Sequence, residues 1–157
     1  MKITLIQIDK TQDSYLESGL EVFHKRLKNY TVFEVKTISM PKNVRQKSFE
    51  EQKIEEGKKI LPELSKDNVV ILLDDKGVEY TSEGFAAFIQ NKQNASIKNL
   101  VFIIGGPYGF SEEIYKRANF KLSLSKLTFS HQMIRLFFAE QLYRAYTIIG
   151  GEKYHHK

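Results

Sequence analysis

Side chains and glycines able to support chemistry gather in four stretches of the chain. Asp74 and Asp75 follow the apolar run from Asn68 to Leu73. Gly105-Gly106-Pro107-Tyr108-Gly109 follows the run from Leu100 to Ile104. Leu124, Ser125, Lys126, Leu127, Thr128 and Phe129 follow a shorter run that begins at Phe120. The fourth group is C-terminal: His131, Arg144, Tyr154 and His155. Glycines directly after a buried strand let backbone approach a ligand closely, which suits a nucleoside or a phosphate. The glycine segment has neither dinucleotide-loop nor phosphate-loop spacing, so by itself it reads equally as a binding loop or a tight turn.

Each of the other groups has a plain reading beside the chemical one. Asp74 and Asp75 read first as solvated turn residues. As a phosphoacceptor site partnered by Lys126, as in a response-regulator receiver, they would need an acidic pair after the first strand, where Asp9 stands beside Lys10. They would also need a hydroxyl residue after the fourth, where Gly105 stands. His131 at a helix start reads as a cap or surface group. Arg144 follows Glu140 by four residues, the acid-first order of an intrahelical ion pair. Tyr154, His155, His156 and Lys157 lie beyond a Gly150-Gly151 stop, where fraying is the default and order requires something to hold the tail. Four histidines without HxxxH or HExxH spacing, and no cysteine, argue against a metal centre.

The elements that must position these groups alternate in hydrophobic period. Strand-like segments are expected at residues 2–8, 31–39, 68–73, 100–104 and 120–124. Helical spacing fills residues 14–28, 48–64, a helix capped by Thr81 or Ser82, a short helix from Ser111, and 131–149. Ser48 with Glu51 reads as a capping box, whereas the stretch after Pro41 reads as a polar, mobile loop. Five strands alternating with five helices predict an α/β domain with a mainly parallel sheet flanked by helices, flavodoxin-like by default. Ligands in such sheets bind beyond the carboxyl ends of the strands, where the first three groups fall. The last helix carries Met133, Ile134, Leu136, Phe137, Phe138, Leu142, Tyr143, Tyr146 and Ile148 on more than one face. One sheet covers one face, so a homodimer through this helix is expected.

Composition narrows the classes. At 157 residues, 41% hydrophobic and 27% charged, the chain suits a single domain over residues 1–157 and is too apolar for disorder. The absence of cysteine excludes disulfides, thiolate nucleophiles and cysteine zinc sites, and a cytoplasmic location is expected. The N-terminal segment lacks the h-region and cleavage site of a signal peptide, and no run approaches the roughly 20 apolar residues of a membrane span. The net charge of +5 is uneven, with eight basic and four acidic residues after residue 111. A basic last third suits a polyanionic partner, so a non-catalytic RNA- or ribosome-binding module is the alternative reading.

Five pieces in order resemble one family. They are Leu72-Leu73-Asp74-Asp75-Lys76-Gly77 with Ser82-Glu83-Gly84-Phe85-Ala86, then Phe102-Ile103-Ile104-Gly105-Gly106-Pro107-Tyr108-Gly109, and then the stretch from Leu122 to Met133. Glu140-Gln141-Leu142-Tyr143-Arg144-Ala145-Tyr146 and Gly151-Glu152-Lys153-Tyr154-His155 complete the set. Together they resemble the RlmH family of SPOUT-class methyltransferases of 23S ribosomal RNA, over the whole chain. The resemblance implies S-adenosyl-L-methionine as cofactor and methylation of N3 of a pseudouridine on the assembled ribosome. It also implies a C-terminal trefoil knot and a dimer with its sites at the interface. On the same footing Leu73, Gly105 and residues 124–129 (Leu124, Ser125, Lys126, Leu127, Thr128, Phe129) wrap the cofactor. Arg144 then takes an electrostatic role, and His131, Tyr154 and His155 handle the substrate or its proton.

Overall fold

Apolar runs covered on both faces form the middle of a five-stranded sheet, and amphipathic segments become the helices that cover it. The computed structural model describes residues 1–156; Lys157, the last residue of the expected tail, lies outside the described residues. Chain order is β1 (Lys2–Ile8), α1 (Ser14–Leu27), β2 (Val32–Ile38), α2 (Phe49–Ile60), β3 (Val69–Glu79), α3 (Ser82–Asn94), β4 (Asn99–Ile104), α4 (Glu112–Arg117), β5 (Phe120–Ser123) and α5 (Met133–Ile149). All strand pairs are parallel, in the order β2-β1-β4-β3-β5.

This order corrects the flavodoxin-like default, 2-1-3-4-5, by exchanging β3 and β4. Apolar content marks β4 as covered on both faces but says nothing about which strands flank it. Along β4, Leu100, Phe102 and Ile104 face one core while Val101 and Ile103 face the other, the period-two alternation of a strand between two helical layers. The first core is closed by α1, α3 and α5 through Leu27, Phe85, Ile89, Phe138 and Leu142. The second is closed by α2 and α4 through Ile60 and Ile114.

Three local expectations change. The stretch after Pro41 is a 3-10 turn, Lys42–Gln46, anchored by buried Val44. The capping box at Ser48 and Glu51 forms, but α2 stops at Ile60 and passes into a 3-10 turn carrying Pro62, whose ring cannot continue the helix. The third strand does not end at Leu73. Its register against β5 breaks between Leu73 and Val78, and residues 74–77 bulge out.

The most consequential path is the return from β5. Residues 124–132 cross from the sheet edge, past the ends of β3 and β4, to the end of interior strand β1. There Gln132 accepts from the Gln12 amide at 3.0 Å and donates to the Lys10 carbonyl at 3.2 Å. Arg135, with no exposed surface, completes the junction. It donates to the carbonyls of Ile8 at 2.6 Å, Asp9 at 3.0 Å and His131 at 3.1 Å, and to the Thr11 hydroxyl at 3.0 Å. Asp9 itself sits at φ 57, a conformation its short polar side chain tolerates.

From that junction α5 runs back between α1 and α3. Phe138 packs on Phe102 at 4.7 Å between ring centroids, and Leu136 fits against Gly19 of α1. Tyr143 meets Phe23 and Tyr30. Neighbours within the chain thus cover most of the apolar surface that suggested a second protomer. Phe137 stays 43% exposed, beside Phe129. As far as His155 the tail is likewise held within the chain rather than frayed. Gly151, at φ 68, turns the backbone so that its amide reaches the Ile148 carbonyl and the Glu152 amide that of Thr147. The Tyr30 hydroxyl then binds Glu152 at 2.7 Å.

Candidate functional site

The carboxyl ends of β3, β4 and β5 open into a cleft of about 380 Å³, within the size range of small-molecule sites. Its walls are the bulge after Leu73, the glycine loop after Ile104 and the crossing segment after Ser123. Leu73, Gly105, Leu124, Ser125, Leu127, Thr128 and Phe129 all line it, as does His131. Lys126 does not: its side chain is 86% exposed and points to Glu79 at 4.0 Å.

The loop geometry follows from local chemistry. The Gly109 amide closes a turn onto the Gly106 carbonyl, and Phe110 is driven into the second core. A Cβ on Gly105 would stand 2.9 Å from the Phe110 ring, so only glycine leaves backbone as the cleft wall here. The crossing segment is pinned by serines: Ser125 Oγ accepts from the Leu127 amide, and Ser130 Oγ from the Met133 amide. Apolar walls from Leu73, Leu122, Leu124 and Ile134 with bare backbone between them fit a nucleoside-bearing cofactor of S-adenosylmethionine size.

Two carboxylates, Asp74 and Asp75, line the cleft, and Asp74 is the more firmly held. Burial pushes Asp74 up, but the Tyr115 hydroxyl at 2.5 Å, the Lys76 amide at 2.8 Å and Asp75 outweigh it and hold the group below its ordinary range. Burial, then the bond to Asp74, pushes the Tyr115 hydroxyl up to about 12. Asp74 is therefore not the solvated turn residue expected, while Asp75 is exposed. Position after a strand signals such a site, but only the fold reveals that α4 supplies its partner, Tyr115.

Behind the glycine loop another carboxylate lies hidden. Glu56 of α2 is 8% exposed and accepts from the Gly106 amide at 3.3 Å. Burial raises its pKa, and nearby Asp9 adds to this against the Gly106 bond and Arg45. A carboxyl raised in the fold contributes stability that is complete below the ordinary carboxylate pKa and lost as pH rises through the raised value. Glu56→Gln, which keeps the acceptor without the charge, should therefore melt higher than the parent near pH 8, with the gap closing near pH 4. Thermal scans at both values check this, and a gap of the same size at both would contradict it. Nothing in the charged, amphipathic sequence of α2 separates Glu56 from its solvated neighbours.

His131 sits on the wall between the cleft and the small cavity around Asp9, Arg45 and Glu56. Burial, then Arg135 and Arg45, lowers its pKa and so favours the neutral ring, against the opposing pull of Asp9. The other three C-terminal groups form a separate cluster. Arg144 pairs with Glu140 at 2.5 Å and lies 4.8 Å from the Tyr154 ring centre. The Tyr154 hydroxyl donates to the same carboxylate at 3.1 Å, and burial followed by Glu140 raises its pKa. His155 lies 3.4 Å from Arg144 through Nδ1 and 3.1 Å from Glu83 through Nε2. None of Arg144, Tyr154 and His155 lines the cleft of its own chain. The basic surplus of the last third is smaller at the surface than in the sequence because Arg135 is buried; the Arg144–Glu140 pair leaves the difference unchanged, since both partners belong to that third. Among the described residues no three His, Cys, Asp or Glu groups are placed to hold a metal, and no helix is long and apolar enough to cross a membrane.

Comparison with known proteins gives a consistent picture. A family model described as "Predicted SPOUT methyltransferase" matches residues 1–155. The Ribosomal RNA large subunit methyltransferase H of Cytophaga hutchinsonii is 54% identical over 156 residues, 99% of this chain and 100% of that protein. The protein of the same name from Christiangramia forsetii is 48% identical over 157 residues, the full length of both. A solved structure of a probable methylase family protein from Haemophilus influenzae superposes with a TM-score of 0.52 at 13% identity. It covers 99% of this chain and 70% of that one, and speaks for the fold alone.

Proposed function

This chain belongs to the SPOUT methyltransferase family, and from that premise we propose that it methylates large-subunit (23S) ribosomal RNA with S-adenosyl-L-methionine, at N3 of a pseudouridine on the assembled ribosome. The observation that carries this reading is the cleft at the ends of β3, β4 and β5, lined by seven of the eight residues expected to wrap the cofactor. Leu73, Gly105, Leu124, Ser125, Leu127, Thr128 and Phe129 would hold it, mostly through backbone. The chemistry supplied by the bound cofactor is an electrophilic methyl group on sulfur.

The residues of the chain then have four tasks. Apolar Leu124 and Phe129 exclude water, and the rigid loops hold the two reacting atoms about 3 Å apart and aligned. An imide nitrogen must lose its proton as its bond to carbon forms. His131, neutral and on the cleft wall, takes the proton from N3. Arg144 stabilises the negative charge that develops on the base, with Tyr154 and His155 positioning it.

Arg144, Tyr154 and His155 stand outside their own cleft, which supports a homodimer in which they complete the partner's site. Exposed Leu127 and the Phe129–Phe137 pair supply apolar surface for that contact. The C-terminal trefoil knot belongs to the same reading, supported by the return of residues 124–135 from edge strand β5 to interior strand β1. Cytoplasmic location follows from the ribosomal substrate.

The test is transfer of a tritiated methyl group to ribosomes lacking the modification, offered joined or as separated subunits. Incorporation into large-subunit RNA only when the subunits are joined is the expected result. No incorporation with cofactor binding intact would refute the substrate. Salt-sensitive RNA binding with neither incorporation nor cofactor binding would install the non-catalytic RNA- or ribosome-binding module instead.

A further inference from the structure

Two aromatic rings stack in solvent beside the cleft. Phe49 opens α2 and Tyr108 is at the tip of the glycine loop; their centroids are 3.8 Å apart and the rings are within 19° of parallel. They are 61% and 41% exposed. Rings of this size are ordinarily buried for their apolar area, and the start of α2 does not depend on Phe49, because Ser48 and Glu51 cap it reciprocally. Tyr108 lines the cleft as well. Anything stacked on this pair therefore lies next to whatever enters the cleft.

Immediately before Phe49, residues 42–47 carry Lys42, Arg45 and Lys47 and no acidic residue. Buried Val44 anchors the turn and leaves these three side chains outward. Arg45 is paired with Asp9, and Lys47 only reaches Glu55 at 3.9 Å. Of the nearest acids on α2, Glu50 pairs with Lys53, while Glu51 is held by Ser48 and also feels the charge of Lys47. Exposed ring faces flanked by cations are the combination that takes an unpaired nucleotide, because every base has a π-face and every phosphate a charge. An apolar protein partner would have to strip water from the cations without neutralising them.

We infer that Phe49, Tyr108 and the cations of residues 42–47 form a docking surface for an unpaired RNA nucleotide next to the one that reacts. This rests on the ribosomal RNA substrate proposed above. The base stacks on a free ring face, and Lys42 and Lys47 meet the adjoining phosphates.

The test compares Phe49→Leu, which keeps apolar bulk but removes the ring face, with Phe49→Trp, which keeps a face. Phe49→Leu should raise KM for ribosomes about tenfold or more, with Phe49→Trp near the parent and cofactor affinity by calorimetry within about twofold in both. Lys42→Gln with Lys47→Gln should lower the slope of log affinity against log salt by about 1 to 2. Unchanged KM in Phe49→Leu would overturn the inference. So would a fall in cofactor affinity matching the rise in KM, which would make the ring pair a brace for the loop. Fluorescence anisotropy with a short single-stranded RNA separates this surface from the reaction. RNA binding weakened by Phe49→Leu in a protein that methylates no ribosome would keep the surface and refute the reaction. Methylation with RNA binding and KM both unmoved would do the reverse.

Discussion

Arg144→Ala should slow methyl transfer about 100- to 1000-fold, the usual cost of removing one group that stabilises charge only in the transition state. Cofactor affinity should hardly change, because Arg144 lies outside the cleft of its own chain. Single-turnover rates with calorimetry in parallel check both halves, and abolished cofactor binding would refute the role. Mixing gives a sharper form of the experiment. A Gly105→Val subunit has its cleft wall filled against Phe110 but keeps its Arg144 cluster intact. Combined with Arg144→Ala, each inactive alone, random exchange gives half heterodimers with one intact site in two, or about one quarter of parental activity. No recovery from subunits shown to have exchanged would place Arg144 in service of its own cleft.

Arg135→Ala should cost about 3–5 kcal/mol of folding stability, since it strips hydrogen bonds from buried carbonyls and leaves a cavity where a large side chain had no exposed surface. Burial lowers the guanidinium to about 10, so it stays charged at neutral pH and its bonds are charge-assisted. Urea titration measures the loss. A change under about 1 kcal/mol would show that water replaces the guanidinium without penalty. Arg135→Lys is expected to recover only part of the loss, because one ammonium cannot reach four acceptors spread over both sides of the junction.

Element types and most of the cleft were legible because they depend on local periodicity and on the residue types at the end of a buried strand. Leu73, Gly105 and the segment from Leu124 fall together for that reason. Strand order was not legible: β3 and β4 are both apolar runs, and their exchange depends on connections that leave no periodic mark. Arg135 was hidden within an apolar helix, where its residue type argued against burial, and three of its four acceptors lie more than 120 residues away. Glu56 and Tyr115 look like surface residues until Gly106 and Asp74 are placed against them. The surplus apolar face of α5 points, on sequence alone, to a second chain. Leu136 and Tyr143 find α1 instead, and Phe137 with Phe129 remain as the exposed patch.

The junction at the end of β1 also bears on how the chain comes to be folded. β1 is completed laterally by β4, and its last carbonyls by an arginine that is 127 positions further along. The first strand made is thus among the last to be satisfied, and vectorial synthesis cannot settle the N-terminal half ahead of the rest. High contact order of this kind makes for slow folding. Until β4 emerges β1 presents an open edge, and until α5 leaves the exit tunnel an uncovered apolar face, so chaperone engagement should persist through most of translation and end with the docking of residues 130–149.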